Sequence, residues 1–406
     1  METLKIGFIG AGFISKFQVR AMTQLNNAEV TGVYALEGAE ALQTYARDHG
    51  VGECTVYNSI KDLCEHSDAV ALYFPNCARF EVMEEIVDAV KGGAELKGVI
   101  CEKPLARTVE EASRLVELAK EAGLATSYHE NQIYMKSIGN ALNQLAPVQS
   151  AMGPIALARS SEEHAGPHEP WFWDPTRQGG GVLADMGCHS IAVSWYVLTP
   201  AGKPIDFLQP ISVSADISLL KWGTPTNRQK LLDRTGVDYS KTPAEDFCTG
   251  IVTFKNPETG QLVKGQFTNS WMYDKQGLRL LMEGLGPGYT FEVNSLRSPL
   301  EVFIGDEAAE AVADAESALE KATASRGLLA VQPNEADLYG YVDETKETAR
   351  AFLAGEDPML NWDFGLEITK LIEASYMAAE RGVTIDLTDA SVQKELETFK
   401  PMVAQG

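Results

Sequence analysis

Three side chains of this sequence have types suited to moving a proton at a hydroxyl group. They are Lys103, which ends a predicted strand, and Asp185 and His189, which follow the glycines at 179–181. Histidine titrates near neutrality, so His189 is the candidate general base. Lys103 can hydrogen-bond the same oxygen and stabilise developing alkoxide charge. Asp185 can orient His189 or accept a bond from a neighbouring hydroxyl, and the spacing of four predicts one shared helical face.

A glycine turn near the N-terminus predicts a nucleotide-binding site. It comprises Gly10, Gly12, Phe13, Ile14 and Ser15, follows a strand and opens a helix. The first glycine permits the tight turn, and the second lets the backbone approach a pyrophosphate that faces the helix N-terminus. The alternative is a glycine turn used only for packing. The lysine and the Asp–His pair are ordinary surface residues in many proteins, but their order after this turn favours a functional interpretation.

The segment after the second strand bears on the choice between NAD and NADP. The acid that usually binds the adenosine ribose closes this strand, whereas this chain has Ala35-Leu36 there with Glu37 next. Glu37 can act as the ribose-binding acid after a small shift in register. The alternative is that Glu37 is an acidic residue in the first turn of the next helix, where the helix dipole favours a negative charge. Because no lysine or arginine lies between Arg20 and Arg47, we expect NAD, with NADP the less favoured cofactor.

The elements that must position these residues alternate between strand and helix in residues 1–130. The predicted strands are 4–9, 30–34, 69–74 and 99–101, and the predicted helices are 13–25, 39–49, 82–90 and 109–122. This alternation predicts an α/β Rossmann domain with a doubly wound parallel sheet.

Residues 131–406 show a different pattern, in which strands follow one another without long helices between them. The predicted strands are 211–217, 249–254, 262–269, 278–283 and 289–293. They predict an α+β domain with an open, mainly antiparallel sheet that binds substrate and mediates oligomerisation. Helices are predicted from about Val182 and over 307–324, 335–353 and 364–381.

Composition and charge exclude several classes of partner. The net charge of the 406 residues is −23, which argues against nucleic acid and anionic membranes because both need an excess of Lys and Arg. The sequence has no apolar run of membrane-spanning length and no signal-peptide pattern at its start. Its six cysteines lack a C-x-x-C pair and are interpreted as reduced thiols of a cytoplasmic protein.

On these motifs the chain resembles the Gfo/Idh/MocA family of sugar and polyol oxidoreductases. The matching segments are 10–15, 75–76, 101–105, 179–189, 351–358 and 365–382. The resemblance implies that Lys103, Asp185 and His189 surround the reacting carbon of the substrate. It also implies that Pro104 follows a cis peptide bond. Besides the glycine turn and Glu37, the residues that it assigns to the cofactor are Pro75, Asn76, Glu102, Lys103 and Trp171.

The chain departs from the family pattern where the substrate should bind. Many members have Asn-x-Arg after the sixth strand, whereas this chain has Glu130-Asn131-Gln132, so Glu130 and Asn131 are assigned to the substrate pocket. A Trp-Arg pair commonly precedes the glycines, but Phe172 follows Trp171 here. A histidine is often found shortly after Pro-Asn, where this chain has residues 77–80, Cys-Ala-Arg-Phe. The chain is also longer than typical members at 219–247 and 305–334.

A loop rich in histidine and tryptophan precedes the glycines. His164 and His168 suit either a metal ion or hydrogen bonds to a polyhydroxy substrate; a structural loop is the third possibility. Gly166-Pro167 lies between them and disfavours helical ligand spacing, so we predict substrate contacts and no metal. Trp171 and Trp173 can stack on a sugar face, with core packing an equal alternative; Trp173 is assigned to the substrate pocket.

Together these features predict an NAD(P)-dependent enzyme that transfers a hydride between the nicotinamide and a secondary alcohol or ketone of a sugar, polyol or glycoside. One alternative is a glycoside-cleaving enzyme that uses tightly bound NAD in an oxidation–elimination mechanism. Another is a non-catalytic nucleotide-sensing regulator. The expected partners are a small-molecule carbohydrate and further copies of the chain in a homodimer or homotetramer. The assembly is expected because the exposed edges and apolar face of an open sheet favour association.

Overall fold

The computed structural model describes residues 2–275, 277–297, 301–304, 327–330 and 334–405. The chain forms two compact units: Met1–Met135 with Tyr339–Glu373 and Glu395–Phe399, and Lys136–Leu338 with Ala374–Lys394 and Lys400–Gly406. The first boundary follows Met135 rather than residue 130, and part of the C-terminal region belongs to the first unit, not to the second as predicted. The helix predicted over 307–324 lies outside the described residues.

A six-stranded parallel sheet forms the centre of the first unit, in the order β3-β2-β1-β4-β5-β6. Its strands are β1 (Leu4–Ile9), β2 (Ala28–Tyr34), β3 (Thr55–Val56), β4 (Ala69–Leu72), β5 (Gly98–Glu102) and β6 (Ala125–His129). Helices α1 (Phe13–Met22), α2 (Ala39–Asp48), α3 (Ile60–Glu65), α4 (Arg79–Lys91) and α5 (Val109–Glu121) connect them. Every residue of β4 and β5 is buried, as in strands covered on both faces. The predicted doubly wound sheet is confirmed, although β3, β6 and α3 were not among the predicted elements.

The order of the strands reverses beside β1. This strand pairs with β2 on one side and with β4 on the other. In open α/β sheets, ligands bind at such a point, outside the carboxyl ends of the strands. The turns after β1, β4 and β5 carry Gly10–Ser15, Pro75-Asn76 and Lys103. The topology therefore places these predicted site residues along one edge of one sheet.

A seven-stranded sheet forms the centre of the second unit, in the order β12-β11-β7-β10-β9-β8-β15. Its strands are β7 (Leu157–Glu163), β8 (Gln209–Ser218), β9 (Phe247–Lys255), β10 (Leu262–Ser270), β11 (Arg279–Gly286), β12 (Tyr289–Asn294) and β15 (Ile385–Asp386), and β13 (Glu301–Ile304) pairs separately with β14 (Gly327–Ala330). Every neighbouring pair in the large sheet is antiparallel except β7 with β10. The mainly antiparallel sheet is confirmed, whereas β7 and β15 were not predicted.

The remaining helices are α6 (Lys136–Met152), α7 (Pro175–Gln178), α8 (Cys188–Leu198), α9 (Pro225–Thr235), α10 (Glu335–Leu338), α11 (Tyr341–Ala354), α12 (Trp362–Arg381) and α13 (Ala390–Leu396). The helix predicted over 335–353 is divided, because Gly340 adopts a φ of +93° and α11 starts after it. Helix α8 is buried almost all round and packs on β7 and β10. Among the described residues, no helix is long and apolar enough to cross a membrane.

Candidate active site

The turn after β1 has the geometry of a phosphate-binding loop. Gly10 has a φ of +105°, and a Cβ there would lie 2.1 Å from the carbonyl oxygen of Tyr73. The Ser15 hydroxyl donates to the Gly10 carbonyl oxygen over 2.9 Å and closes the turn. A Cβ at Gly12 would meet no atom within 4 Å, so space for a ligand lies against the backbone. Helix α1 begins there with no acidic residue in its first turn and no side chain capping it. These features fit the pyrophosphate of a dinucleotide.

Glu37 lies in the loop between β2 and α2 and is exposed. The left-handed Gly38 caps α2, whose first residue is Ala39 and whose first-turn acid is Glu40. The alternative that Glu37 is a first-turn helix acid is therefore wrong. Its place in the loop that leaves β2 is compatible with the predicted ribose contact.

Lys103 lies in a loop that a buried arginine holds. The Lys103–Pro104 peptide bond is cis, as predicted. Arg79, at the start of α4, donates to the carbonyl oxygens of Pro104 and, over 3.1 Å, of Leu105. Arg79 belongs to the segment 77–80, which stands where many family members have a histidine. Its exposed fraction of 2% shows that its role is inside the fold, fixing the backbone beside Lys103.

A buried polar cluster lies where strands β5 and β6 end. His129 Nδ1 lies 3.4 Å from Glu344 Oε2, 3.3 Å from Gln18 Nε2 and 4.0 Å from Glu102 Oε1. Burial lowers the pKa of His129 to about 3. Burial, together with the charges of Glu102 and Glu130, raises the pKa of Glu344 well above its usual range. Burial therefore disfavours the charged forms of both His129 and Glu344.

Glu130 and Asn131, the residues predicted to contact substrate, are both buried in the first unit, with exposed fractions of 0% and 5%. The Asn131 amide donates to the carbonyl oxygen of Tyr339 over 2.7 Å, and thereby ties the end of β6 to the segment before α11. Asn131 therefore has a structural role in joining these two segments, and its contact with substrate stays a prediction.

Asp185 and His189 are both buried in the second unit, each with an exposed fraction of 4%. They do not lie on one regular α-helix as predicted, because Leu183–Gly187 forms a π-helical turn before α8 begins at Cys188. Asp185 Oδ2 accepts a hydrogen bond from Trp271 Nε1 over 3.2 Å. His189 Nε2 lies 3.9 Å from Glu162 Oε2. Turns of π-helix are rare and occur frequently at functional sites.

Glu162 lies beside the candidate base and was not among the site residues predicted from the sequence. It lies in β7, whose letters LARSSEE look polar although burial alternates along the strand. That alternation places Ser160 and Glu162 on the buried face. The letters of this strand show no period-two alternation of apolar residues, so the sequence carries no local signal for the burial of Glu162.

The histidines and Trp171 of the loop before the glycines differ in burial and in their contacts. His164 is buried and its Nδ1 accepts from the Gly166 amide over 3.0 Å, whereas His168 is exposed. Trp171 stacks on the ring of Phe172, with centroids 3.8 Å apart.

Trp173 is completely buried. Its ring packs against three other aromatic rings of the second unit, those of Trp222, Tyr239 and Trp271. The expected sugar stacking by Trp173 is therefore corrected in favour of core packing, because no face of its ring reaches solvent.

Comparison with known families matches both units of the chain. Residues 4–129 match the family described as "Oxidoreductase family, NAD-binding Rossmann fold". Residues 148–284 match the "GFO/IDH/MocA C-terminal domain". The chain belongs to the Gfo/Idh/MocA oxidoreductase family. The resemblance based on the glycine turn, the Lys-Pro loop and the Asp–His segment is confirmed.

Relatives in this family include enzymes named for sugar oxidation and reduction. Glucose-6-phosphate 3-dehydrogenase of Bacillus subtilis is 27% identical over 198 residues, 48% of this chain and 53% of that protein. The 1,5-anhydro-D-fructose reductase of Ensifer adhaerens is 29% identical over 197 residues, 47% of this chain and 56% of that protein. D-glucoside 3-dehydrogenase of Escherichia coli is 27% identical over 257 residues, 62% of this chain and 67% of that protein. The chain thus spans about half the length of the first of these curated relatives.

Solved structures of the Gfo/Idh/MocA type share the fold. The crystal structure of GenD2 from gentamicin A biosynthesis, in complex with NAD, superposes with a TM-score of 0.73 at 20% identity, covering 95% of this chain and 97% of that one. Levoglucosan dehydrogenase, in complex with NADH and L-sorbose, gives a TM-score of 0.67 at 18% identity, covering 95% and 99%.

Proposed function

We propose that this protein is an NAD-dependent oxidoreductase that transfers a hydride between the nicotinamide and a secondary alcohol or ketone of a sugar, polyol or glycoside. The observation that carries the proposal lies within the first unit. A turn shaped for a pyrophosphate and a lysine on a cis Lys-Pro loop follow strands of the same parallel sheet, at the same edge.

The cofactor would be held by the backbone of this edge. The amides at the start of α1 would bind the pyrophosphate, and Glu37 would accept bonds from the adenosine ribose. The bound nicotinamide supplies the carbon that accepts or donates the hydride. NAD is favoured over NADP because no lysine or arginine lies between Arg20 and Arg47.

The protein's own residues would handle the proton. His189 would remove it from the substrate hydroxyl and return it in the reverse direction. Lys103 would donate a hydrogen bond to a substrate oxygen on which negative charge develops. Asp185 would bind a neighbouring hydroxyl or orient the base. The buried Glu162, close to His189 Nε2, would favour the protonated imidazole.

The names of the relatives narrow the substrate class. Two of them, the Bacillus and Escherichia enzymes, are named as 3-dehydrogenases of a glucose phosphate and of glucosides. We therefore infer that a hexose or hexoside is the substrate and that its ring hydroxyls are the reacting groups. We also propose a homodimer or homotetramer as the assembly; residence in the cytoplasm stays a prediction from the cysteine pattern.

A panel of sugars, polyols and glycosides, followed by the absorbance of reduced nicotinamide with NAD and with NADP, tests the proposal. We expect one hexose-type substrate to turn over with NAD, and tighter binding of NAD than of NADP in a fluorescence titration. The His189→Ala variant serves as the inactive control. Cleavage of a glycoside without added cofactor would instead favour the oxidation–elimination reaction. No turnover with any compound, in a protein that binds NAD, would contradict the proposal.

A further inference from the structure

The start of the helix segment that carries Asp185 and His189 is held by a single buried carboxylate. Glu245 Oε1 accepts hydrogen bonds from the amides of Gly181 and Leu183, each over 3.0 Å. The amide between them, that of Val182, donates to the backbone oxygen of Glu245, also over 3.0 Å. Three consecutive amides at the start of this segment thus donate to one residue. Such amides have no partner within their own helix, so Glu245 supplies what the helix itself cannot.

The glycine at 181 is explained by this contact. A Cβ at Gly181 would lie 2.2 Å from the Glu245 backbone oxygen and 2.8 Å from its carboxylate. Only a residue without a side chain allows so close an approach. Tyr376, from α12, completes the arrangement, since its hydroxyl donates to Glu245 Oε1 over 2.6 Å and accepts from the Gly181 amide over 3.2 Å.

The next residue along the chain supports the same segment from a second direction. Asp246 accepts hydrogen bonds from the amides of Leu220 and Trp222, over 2.7 and 2.6 Å. Trp222 Nε1 donates to the backbone oxygen of Trp271, whose own Nε1 donates to Asp185. Glu245 and Asp246 lie near the end of the stretch 219–247, by which this chain is longer than typical family members. Glu245 contacts the start of the segment directly, and Asp246 is connected to Asp185 through Trp222 and Trp271.

We propose that Glu245 is a positioning residue for the reaction: its carboxylate fixes the π-helical turn 183–187, and through it the placement of Asp185 and His189. This inference rests on the proposed function for its catalytic consequence, but the placement itself does not depend on it. The helix dipole and the hydrogen bonds from these amides favour the carboxylate at this position, whereas burial opposes its charge. The π-helical turn that follows is an uncommon conformation, and the hydrogen bonds to Glu245 hold the backbone where it starts.

Glu245 is poised to change its charge near neutral pH. Burial raises its pKa to about 7, against the lowering effect of its hydrogen bonds with Tyr376, Leu183 and Gly181. In the described part of the chain, the titratable groups that interact with it include Tyr376 from α12, which donates a hydrogen bond to it, and Tyr239 and Cys248, whose pKa burial and its charge both raise. Burial raises the pKa of Tyr239 and of Cys248, so these two stay neutral when Glu245 ionises.

The decisive variant is Glu245→Gln, which keeps the size and the Oε1 acceptor but removes the charge. We expect kcat to fall by roughly tenfold to a hundredfold, the effect of misplacing a reacting group by about 1 Å, with unchanged affinity for NAD. Amide hydrogen exchange over residues 179–190 should become faster, and the resonances of His189 should shift. Tyr376→Phe should produce the same changes to a smaller extent. Asp238→Asn is the matched control, because this acid lies in the same stretch with its side chain 39% exposed.

The outcomes separate the two proposals. Faster exchange with unchanged kcat in Glu245→Gln would show that Glu245 only stabilises the fold, and would overturn the positioning role. If the unmodified protein oxidises no sugar, the proposed function fails. The hydrogen exchange and the His189 resonances then still test whether Glu245 positions the π-helical turn and His189. Unchanged resonances of His189 in Glu245→Gln would then refute the inference.

Discussion

His189 and Glu162 form a buried pair in the second unit. Nε2 of the imidazole lies 3.9 Å from Oε2 of the carboxylate, and the two side chains are 5% and 7% exposed. A carboxylate at this distance attracts a proton on the imidazole, whereas burial of the imidazole opposes its positive charge. The pair therefore links strand β7 directly to the candidate base.

Removing the charge of Glu162 should change the pH dependence of the reaction. In Glu162→Gln the imidazole loses its anionic neighbour, so the acid limb of the kcat profile should move to lower pH. Steady-state rates between pH 5 and 9 measure this shift. Glu163→Gln is the matched control, since Glu163 instead pairs with Arg279 and Ser270. An equal shift in both variants would show that Glu162 acts only through the general charge of the unit.

Replacing the candidate base gives the largest expected loss of activity. His189→Ala should lower turnover by roughly a hundredfold to ten-thousandfold, the usual contribution of a positioned acid–base group. Affinity for NAD should change little, because the phosphate turn follows β1 in the other unit. Turnover, NAD affinity and melting temperature should be measured on one preparation. Near-normal turnover in a folded variant that binds NAD would remove His189 from the mechanism and leave Lys103 as the principal group.

Two glycines of the phosphate turn should respond differently to a methyl group. Gly12→Ala should weaken NAD binding without loss of stability, because its Cβ would enter open space where the pyrophosphate is expected. Gly10→Ala should destabilise the fold itself, since its Cβ would collide with Tyr73 and its φ is +105°. Isothermal titration with NAD and thermal melting distinguish the two effects. Unaltered NAD affinity in Gly12→Ala would place the cofactor elsewhere.

Local motifs explain why this much could be predicted from the sequence. The Gly10–Ser15 turn and the alternating strands of the first unit depend on neighbours in the chain, so their spacing is visible in the letters. Glu162 and Glu245 could not be predicted in this way, because the residues that they contact are distant in the sequence. Glu245, for example, is 64 residues from Gly181. Sheet pairing and helix packing bring these residues together. The π-helical turn at 183–187 likewise has no local pattern that distinguishes it from an α-helix.

The buried Glu245 should make the stability of the protein depend on pH. Its pKa is about 7 in the folded protein, above the usual 4.5. Its neutral form therefore stabilises the fold below pH 4.5, and that contribution is lost as the pH rises through 7, up to about 3 kcal/mol. Glu245→Gln lacks this loss, so its free energy of unfolding relative to the unmodified protein should improve between pH 5 and 8. Denaturant unfolding at both values tests this, with Asp238→Asn as control. A constant difference would mean that Glu245 is already ionised at pH 5.

The outer face of the seven-stranded sheet should be the interface between copies of the chain. Ile251 on β9 is 43% exposed and Leu262 on β10 is 53% exposed, and the register of the two strands places both on one face. Apolar side chains on an open sheet favour association. Ile251→Arg should therefore shift the assembly towards the monomer in light scattering. Met402→Arg, at a position 66% exposed that belongs to a short helical turn and not to a strand of the sheet, should leave the mass unchanged. A monomer at micromolar concentration in the unmodified protein would refute the interface, whereas equal dissociation by both variants would show that added charge alone separates the copies.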